Sequence, residues 1–179
     1  MADVLLVAAT ELELGDHPGL ACGIGPVEAA AATARRLASE TPSAVVHIGI
    51  AGGHGITPGG LVVGSESLYV DISAEIPIVD RVEPDPDLLA RVREALPNAL
   101  VLPIGTSGAV GGVAGADLRV EAMEGFGVLR ACALAGVPAV EIRAISNELA
   151  ENDRSRWRIG RALEALAEAL PDVLAAAAK

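Results

Sequence analysis

Residues 120–147 read VEAMEGFGVLRACALAGVPAVEIRAISN, and the reading of this stretch decides the fold. Two acids with a sulfur between them come first: Glu121, Met123 and Glu124. A run of small and apolar residues, 125–135, has the composition of a helix. Gly136 and Pro138 close it, and an apolar strand, 139–145, follows and ends in the polar pair Ser146 and Asn147. A carboxylate at a helix start and an amide at a strand end aim two polar groups into one cleft. In open α/β sheets, ligands sit beyond the carboxyl ends of strands.

The pair Met123–Glu124 and the later run Arg143-Ala144-Ile145-Ser146-Asn147 resemble the nucleoside phosphorylase and nucleosidase superfamily. Its members carry Met-Glu at a helix start and R-A-I-S-D/N at a strand end. The form ending in Asn, followed by a polar stretch and Trp157, is most similar to the superfamily's futalosine hydrolases, which remove hypoxanthine from futalosine in a menaquinone pathway. The resemblance extends, with gaps, over most of the chain. It implies a three-layer α/β/α phosphorylase/hydrolase-like fold with a central mixed, partly barrel-like sheet. It further implies an N-glycosyl hydrolase that takes a small nucleoside and no cofactor. The resembled proteins usually form dimers or larger homo-oligomers that complete each other's pockets.

Composition sets the outer bounds. A chain of 179 residues is expected to form one domain, 1–179, with a substantial core. Half its residues are apolar, yet Phe, Tyr and Trp occur once each, so the core is built from Ala, Val, Leu and Ile. Little aromatic surface remains for stacking single-stranded nucleic acid. A net charge of −11 also disfavours a polyanionic partner, since phosphate contacts need Lys and Arg. Cys22 and Cys132 lie in apolar runs without CxxC spacing and read as reduced core thiols. No signal peptide is read at the start, and no charge-free apolar run reaches membrane-spanning length, so the expected location is the cytoplasm.

Read in order, strands alternate with helices and glycine-rich loops, the α/β pattern. Residues 4–9 form a buried strand that runs into Thr10-Glu11-Leu12-Glu13-Leu14. Two acids after a buried strand lie where a parallel sheet opens its active edge. In the resembled hydrolases the last acid here activates water, which by position is Glu13. Taken alone, it reads as a solvated loop charge. Residues 20–24 are expected as a strand and 27–40 as a helix, with Pro26 suited to its first turn. The intervening Gly23-Ile24-Gly25 is no dinucleotide fingerprint: Glu28 stands where the third glycine belongs and would repel a pyrophosphate.

Strand 44–48 leads into Gly49-Ile50-Ala51-Gly52-Gly53-His54-Gly55, expected as a loop that a ligand approaches closely. The resemblance puts the ribose and the nucleophile beside it, at Ala51 and Gly52. A strand at 61–70, a polar loop at 71–83, a helix at 86–95 capped by Asp85 and a strand at 99–104 come next. Residues 71–75 of the polar loop approach the ligand or a partner subunit in the resembled hydrolases. In the loop 106–112 the resemblance implies main chain and an aromatic against the base, but here Val110 and Gly111 offer no ring. The segment between Gly112 and Glu121 is shorter than usual in the superfamily. A long helix, 154–178, closes the chain, with Leu163, Leu166, Leu170 and Leu174 as its apolar face and Pro171 as a break or kink.

N-glycosidic cleavage passes through a ribosyl oxocarbenium ion. It requires charge stabilisation at the ribose, relief of charge on the leaving base, and a placed water. By the resemblance, Glu124 accepts from the ribose hydroxyls, Met123 lies under the sugar and Glu13 is the general base. Without it, Met123–Glu124 reads as a core Met beside a helix-start Glu. Asn147 stands where adenine-cleaving relatives have Asp. An amide cannot serve as an acid, but its NH2 donates to N7 and to a 6-oxo group, which favours hypoxanthine. Arg143 is read as an ion pair of Glu141 or Glu121. His17, His47 and His54 lack metal-ligand spacing, so no metal is expected. Glu11 and Glu13 near the nucleophile position disfavour phosphate and leave water as the attacking group. Two alternatives stay open: a methylthioadenosine/S-adenosylhomocysteine nucleosidase, and a nucleoside-binding homologue with impaired catalysis.

Overall fold

The computed structural model describes residues 3–110 and 118–179. Fourteen segments follow one another. Strand β1 is Val4–Ala8, α1 Glu11–Leu14, β2 Leu20–Ala21 and α2 Pro26–Leu37. Then come β3 Ala44–Gly53, β4 Leu61–Tyr69, β5 Arg81–Val82, α3 Pro86–Ala95 and β6 Leu100–Thr106. Strand β7 Val120–Ala122, α4 Gly125–Ala135, β8 Ala139–Asn147, a 3-10 turn at Arg154–Arg156 and α5 Ile159–Ala177 complete the order.

Among the described residues, eight strands join one mixed sheet, β2-β1-β3-β7-β6-β4-β5, and β8 pairs with both β3 and β4. That double pairing closes β3, β7, β6, β4 and β8 into a five-strand ring with β1, β2 and β5 as extensions. Strands β3 and β8 run parallel from Val45↔Ala139 to Gly52↔Asn147, with a bulge between Ala51 and Gly52. Antiparallel pairing of β8 to β4 and of β3 to β7 completes the closure. Each ring strand sends a side chain to one apolar cluster: Ala51, Val62, Ile104, Val120 and Ile145, with Ala122 beside them. Helices α3 and α5 cover one face through Leu88, Val92, Leu166, Leu170 and Val173. Helices α2 and α4 cover the other, where Ala29 meets Val128, Leu129 and Cys132. The three-layer arrangement with a partly closed mixed sheet is the one expected.

Several boundaries were expected correctly because local chemistry sets them. Asp85 accepts the Leu88 N–H at 2.8 Å, and Pro86 opens α3. Gly136 takes a left-handed φ of 69° and ends α4. Elsewhere the structure differs. Residues 49–53 are strand, not loop. The expected strand at 20–24 shrinks to two residues, and the expected helix 27–40 ends at Leu37. The final helix starts at Ile159, and Pro171 sits inside it without ending it. Pro171 faces solvent, where a missing N–H bond leaves its carbonyl partner to water. Among the described residues, no helix is long and apolar enough to cross a membrane.

Candidate active site

Glu13 is not on a loop. Thr10 and Glu13 form a capping box at the start of α1. The Glu13 carboxylate accepts the Thr10 N–H at 3.0 Å and the Thr10 hydroxyl at 2.9 Å through Oε2. Its Oε1 accepts the Ile50 N–H at 3.1 Å. The carboxylate is thus tied to β1's end and to β3 at once, half-buried at the sheet edge.

Glu124 caps α4 by position, without a side-chain bond to that helix. It is turned inward instead: Oε1 accepts the Gly25 N–H at 3.2 Å, and Oε2 lies 3.3 Å from Arg143 Nη1. Burial raises its pKa above the usual carboxylate value, and Arg143 opposes that rise. Arg143 itself is fully buried, with Nε donating to Glu141 Oε1 at 2.8 Å. Burial works against its charge, but Glu141 and Glu124 outweigh burial and hold its pKa above the usual arginine value. Glu141 accepts in turn from the Ser67 hydroxyl. Of the alternatives expected for Arg143, the ion pair with Glu141 is present, and Glu124 is a further partner.

His47 completes this buried chain. Its Nδ1 lies 3.1 Å from the Val7 carbonyl, which can only accept, so Nδ1 carries the proton. The bare Nε2 then accepts from Arg143 Nη2 at 2.6 Å. Burial, and Arg143 after it, push its pKa well below the ordinary 6.5. Two glycines make room for the group. A Cβ on Gly49 would run into Arg143 Nη1, and one on Gly125 into the Glu141 carboxylate.

Asn147 is buried at the end of β8. Its Nδ2 lies 2.9 Å from the Glu148 carbonyl, an acceptor only, so the amide orientation follows from chemistry. Oδ1 accepts from the Ser146 hydroxyl at 2.7 Å. One of the two N–H groups remains for a ligand, where two had been expected.

These residues open on one cavity of about 370 Å³, in the range of small-molecule sites. Glu13, Ala51, Gly52, Val110, Met123, Glu124 and Asn147 all line it, and Gly111 lies outside the described residues. Glu121 lines it as well, so three carboxylates face one space. Residues 71–75 do not. Asp71 instead accepts from the Ser107 hydroxyl at 2.8 Å and pins the loop after β6. An aromatic ring does line the cavity from another element, Trp157, after the 3-10 turn. Arg154, Leu149 and Leu163 were also missed as lining residues. The lone Trp of the chain, in a polar stretch, was the signal that pointed there. Among the described residues, no three His, Cys, Asp or Glu are grouped to hold a metal.

A family profile described as the phosphorylase superfamily matches residues 19–179. A futalosine hydrolase of Streptomyces coelicolor is 37% identical over 179 residues, covering 84% of this chain and 75% of its own. One from Acidothermus cellulolyticus is 34% identical over 177 residues, covering 84% and 72%. Among solved structures, the 5′-methylthioadenosine/S-adenosylhomocysteine nucleosidase of Colwellia psychrerythraea, in complex with adenine, superposes with a TM-score of 0.86 at 20% identity. That match covers 98% of this chain and 96% of the other, and it bears on the fold.

Proposed function

The chain belongs to the phosphorylase superfamily, and on that premise we propose that it hydrolyses the N-glycosidic bond of futalosine, releasing hypoxanthine and dehypoxanthine futalosine. It is an N-glycosyl hydrolase. One observation carries the reading of the site: Glu13, Glu124 and Asn147, from three separate elements, face the same cavity.

In this reading Glu124 accepts from the ribose 2′ and 3′ hydroxyls, and its anion faces the positive charge that grows on the sugar. Met123 lays a polarizable thioether under the ring. Glu13 takes the proton of the attacking water, its carboxylate already aimed by Thr10 and Ile50. Asn147 gives its remaining N–H to the base edge, while Ala51, Gly52 and Val110 border sugar and base. Water is preferred to phosphate on electrostatic grounds. Three carboxylates line the cavity, and the buried Arg143 is already matched by Glu141 and Glu124. Among the described residues, a dianion would meet no unmatched buried cation there.

The exposed apolar rim of Leu12, Ile24 and Val110 supports a homodimer in which a second copy closes the cavity. Two free buried thiols suit a reducing cytoplasm, and the futalosine reading carries with it a place in menaquinone biosynthesis. The test is incubation with futalosine in phosphate-free buffer. Free hypoxanthine is expected, with methylthioadenosine a poor substrate. A strict requirement for phosphate would overturn the hydrolytic reading, and binding without turnover would favour an impaired homologue.

A further inference from the structure

Among the described residues, Arg143 is the one buried arginine or lysine, and its three nitrogens meet different surroundings. Nε donates to Glu141 Oε1 at 2.8 Å, and Nη2 donates to His47 Nε2 at 2.6 Å. Nη1 is fully buried and has no hydrogen-bond partner among the described residues. It faces carboxylates instead: Glu124 Oε2 is 3.3 Å away. Glu13 Oε1 lies on the same side, 2.9 Å from the place where a Gly49 Cβ would meet Nη1. A guanidinium is a rigid planar fork, so two held nitrogens fix where the third one points.

One hold is Glu141, whose second oxygen accepts from the Ser67 hydroxyl. The other is His47. Its Nδ1 serves the Val7 carbonyl at 3.1 Å, so Nε2 keeps its lone pair for Arg143. A carboxylate in that place would compete with Glu124 for the cation. A neutral imidazole fixes direction and leaves the charge to Glu124. His47 is fully buried and does not line the cavity. We propose that His47 is a positioning residue for the hydrolysis: by holding Nη2 it aims Arg143 Nη1 at Glu124 and Glu13, and so fixes the carboxylate that meets the charge growing on the sugar. The inference rests on the nucleosidase reading and adds to it a residue away from the ligand.

The surroundings of Glu124 give this role a readout. Arg143 and Glu141 face it from β8, Glu13 from α1 and Cys22 from the turn after β2. The Gly25 N–H donates to it, and Glu121 of β7 lines the same cavity. Arg143 is the only cation of this set, and it opposes the rise that burial imposes on the Glu124 pKa. It is also the charged group that faces His47. A displaced Arg143 therefore leaves Glu124 protonated to higher pH.

Three variants separate positioning from packing. Glutamine reaches Arg143 with its carbonyl oxygen and Val7 with its NH2. Asparagine is one methylene shorter: it serves Val7 from the place of Nδ1 and falls short of Arg143. Leucine serves neither. With futalosine, kcat per folded molecule is expected to stay within about threefold of wild type for His47→Gln, and to fall about ten- to a hundredfold for His47→Asn and His47→Leu, with KM moving little. The acid limb of the kcat/KM profile should rise by about half a pH unit or more in those two variants and stay in place with glutamine. Folded fractions come from circular dichroism well below each thermal midpoint. If His47→Leu does not fold, the asparagine and glutamine variants decide. A lowered midpoint in His47→Asn, with kcat and acid limb at wild-type values, makes His47 a packing residue and overturns the inference while the nucleosidase reading stands. A loss of kcat as large in His47→Gln as in His47→Asn overturns it too. No hypoxanthine released by wild type overturns the nucleosidase reading, and the inference with it.

Discussion

Asn147 has one free side-chain N–H, and that single proton separates two base classes. A carboxylate in its place would set an acceptor against the Glu148 carbonyl, now 2.9 Å from Nδ2, and another against a 6-oxo group. For Asn147→Asp, kcat/KM for hypoxanthine nucleosides is expected to drop roughly ten- to a hundredfold. Adenine release should rise relative to it. A base preference that does not move would remove Asn147 as the selector. Glu13→Gln tests a different proton. The glutamine NH2 must face either the Ile50 N–H or the Thr10 donors, so about 1–2 kcal/mol of stability should be lost. Turnover should fall further, by about 10²- to 10⁴-fold, if Glu13 is the base. Turnover at the wild-type level, measured beside the thermal midpoint, would eliminate it.

At the scale of elements, β3 shows what pattern reading captures and what it misses. Its first half, AVVHI, reads as a strand because apolar β-branched residues dominate. Its second half, GIAGG, reads as a loop because glycine is a poor strand former. The reason for the glycine is close approach: Arg143 Nη1 lies where a Gly49 Cβ would be. That approach involves β8, about a hundred residues away in sequence, and no local pattern encodes it. Strand β7 is three residues long, too short for a period, yet it closes the ring. By contrast α3 was legible from Asp85 and Pro86, and α4 from Gly136, because caps are local. The site divides in the same way. The lining acids and the amide could be named from motifs, whereas the His47–Arg143–Glu141 chain beneath them depends on pairing. Gly49→Ala should therefore displace Arg143, costing about 1–3 kcal/mol by overpacking and lowering kcat. Asp85→Ala is the control. It should lose about 1 kcal/mol in a denaturant titration while kcat/KM stays put, because α3 does not line the cavity.

For the molecule as a whole, the buried polar chain couples stability to pH, and its two titrating members pull in opposite directions. Glu124 has a raised pKa, so the unfolded chain ionises first and stability is lost as pH rises from about 4.5 towards the folded value. His47 has a pKa well below 6.5 in the fold. Below pH 6.5 the unfolded imidazole binds a proton that the folded one refuses, because its Nε2 is occupied by Arg143. Its contribution is therefore complete above 6.5 and lost as pH falls, with a limiting slope of about 1.4 kcal/mol per pH unit. Glutamine at this position can donate to the Val7 carbonyl, accept from Arg143 and never titrate. Between pH 7.5 and 5.5, urea unfolding of wild type should weaken relative to His47→Gln by roughly 1 kcal/mol. His17, His54 and Glu124 are common to both proteins and cancel in the difference. Parallel pH profiles would mean that His47 takes up its proton inside the fold, which would require Arg143 to let go of Nε2 and would leave Glu124 without its fixed partner.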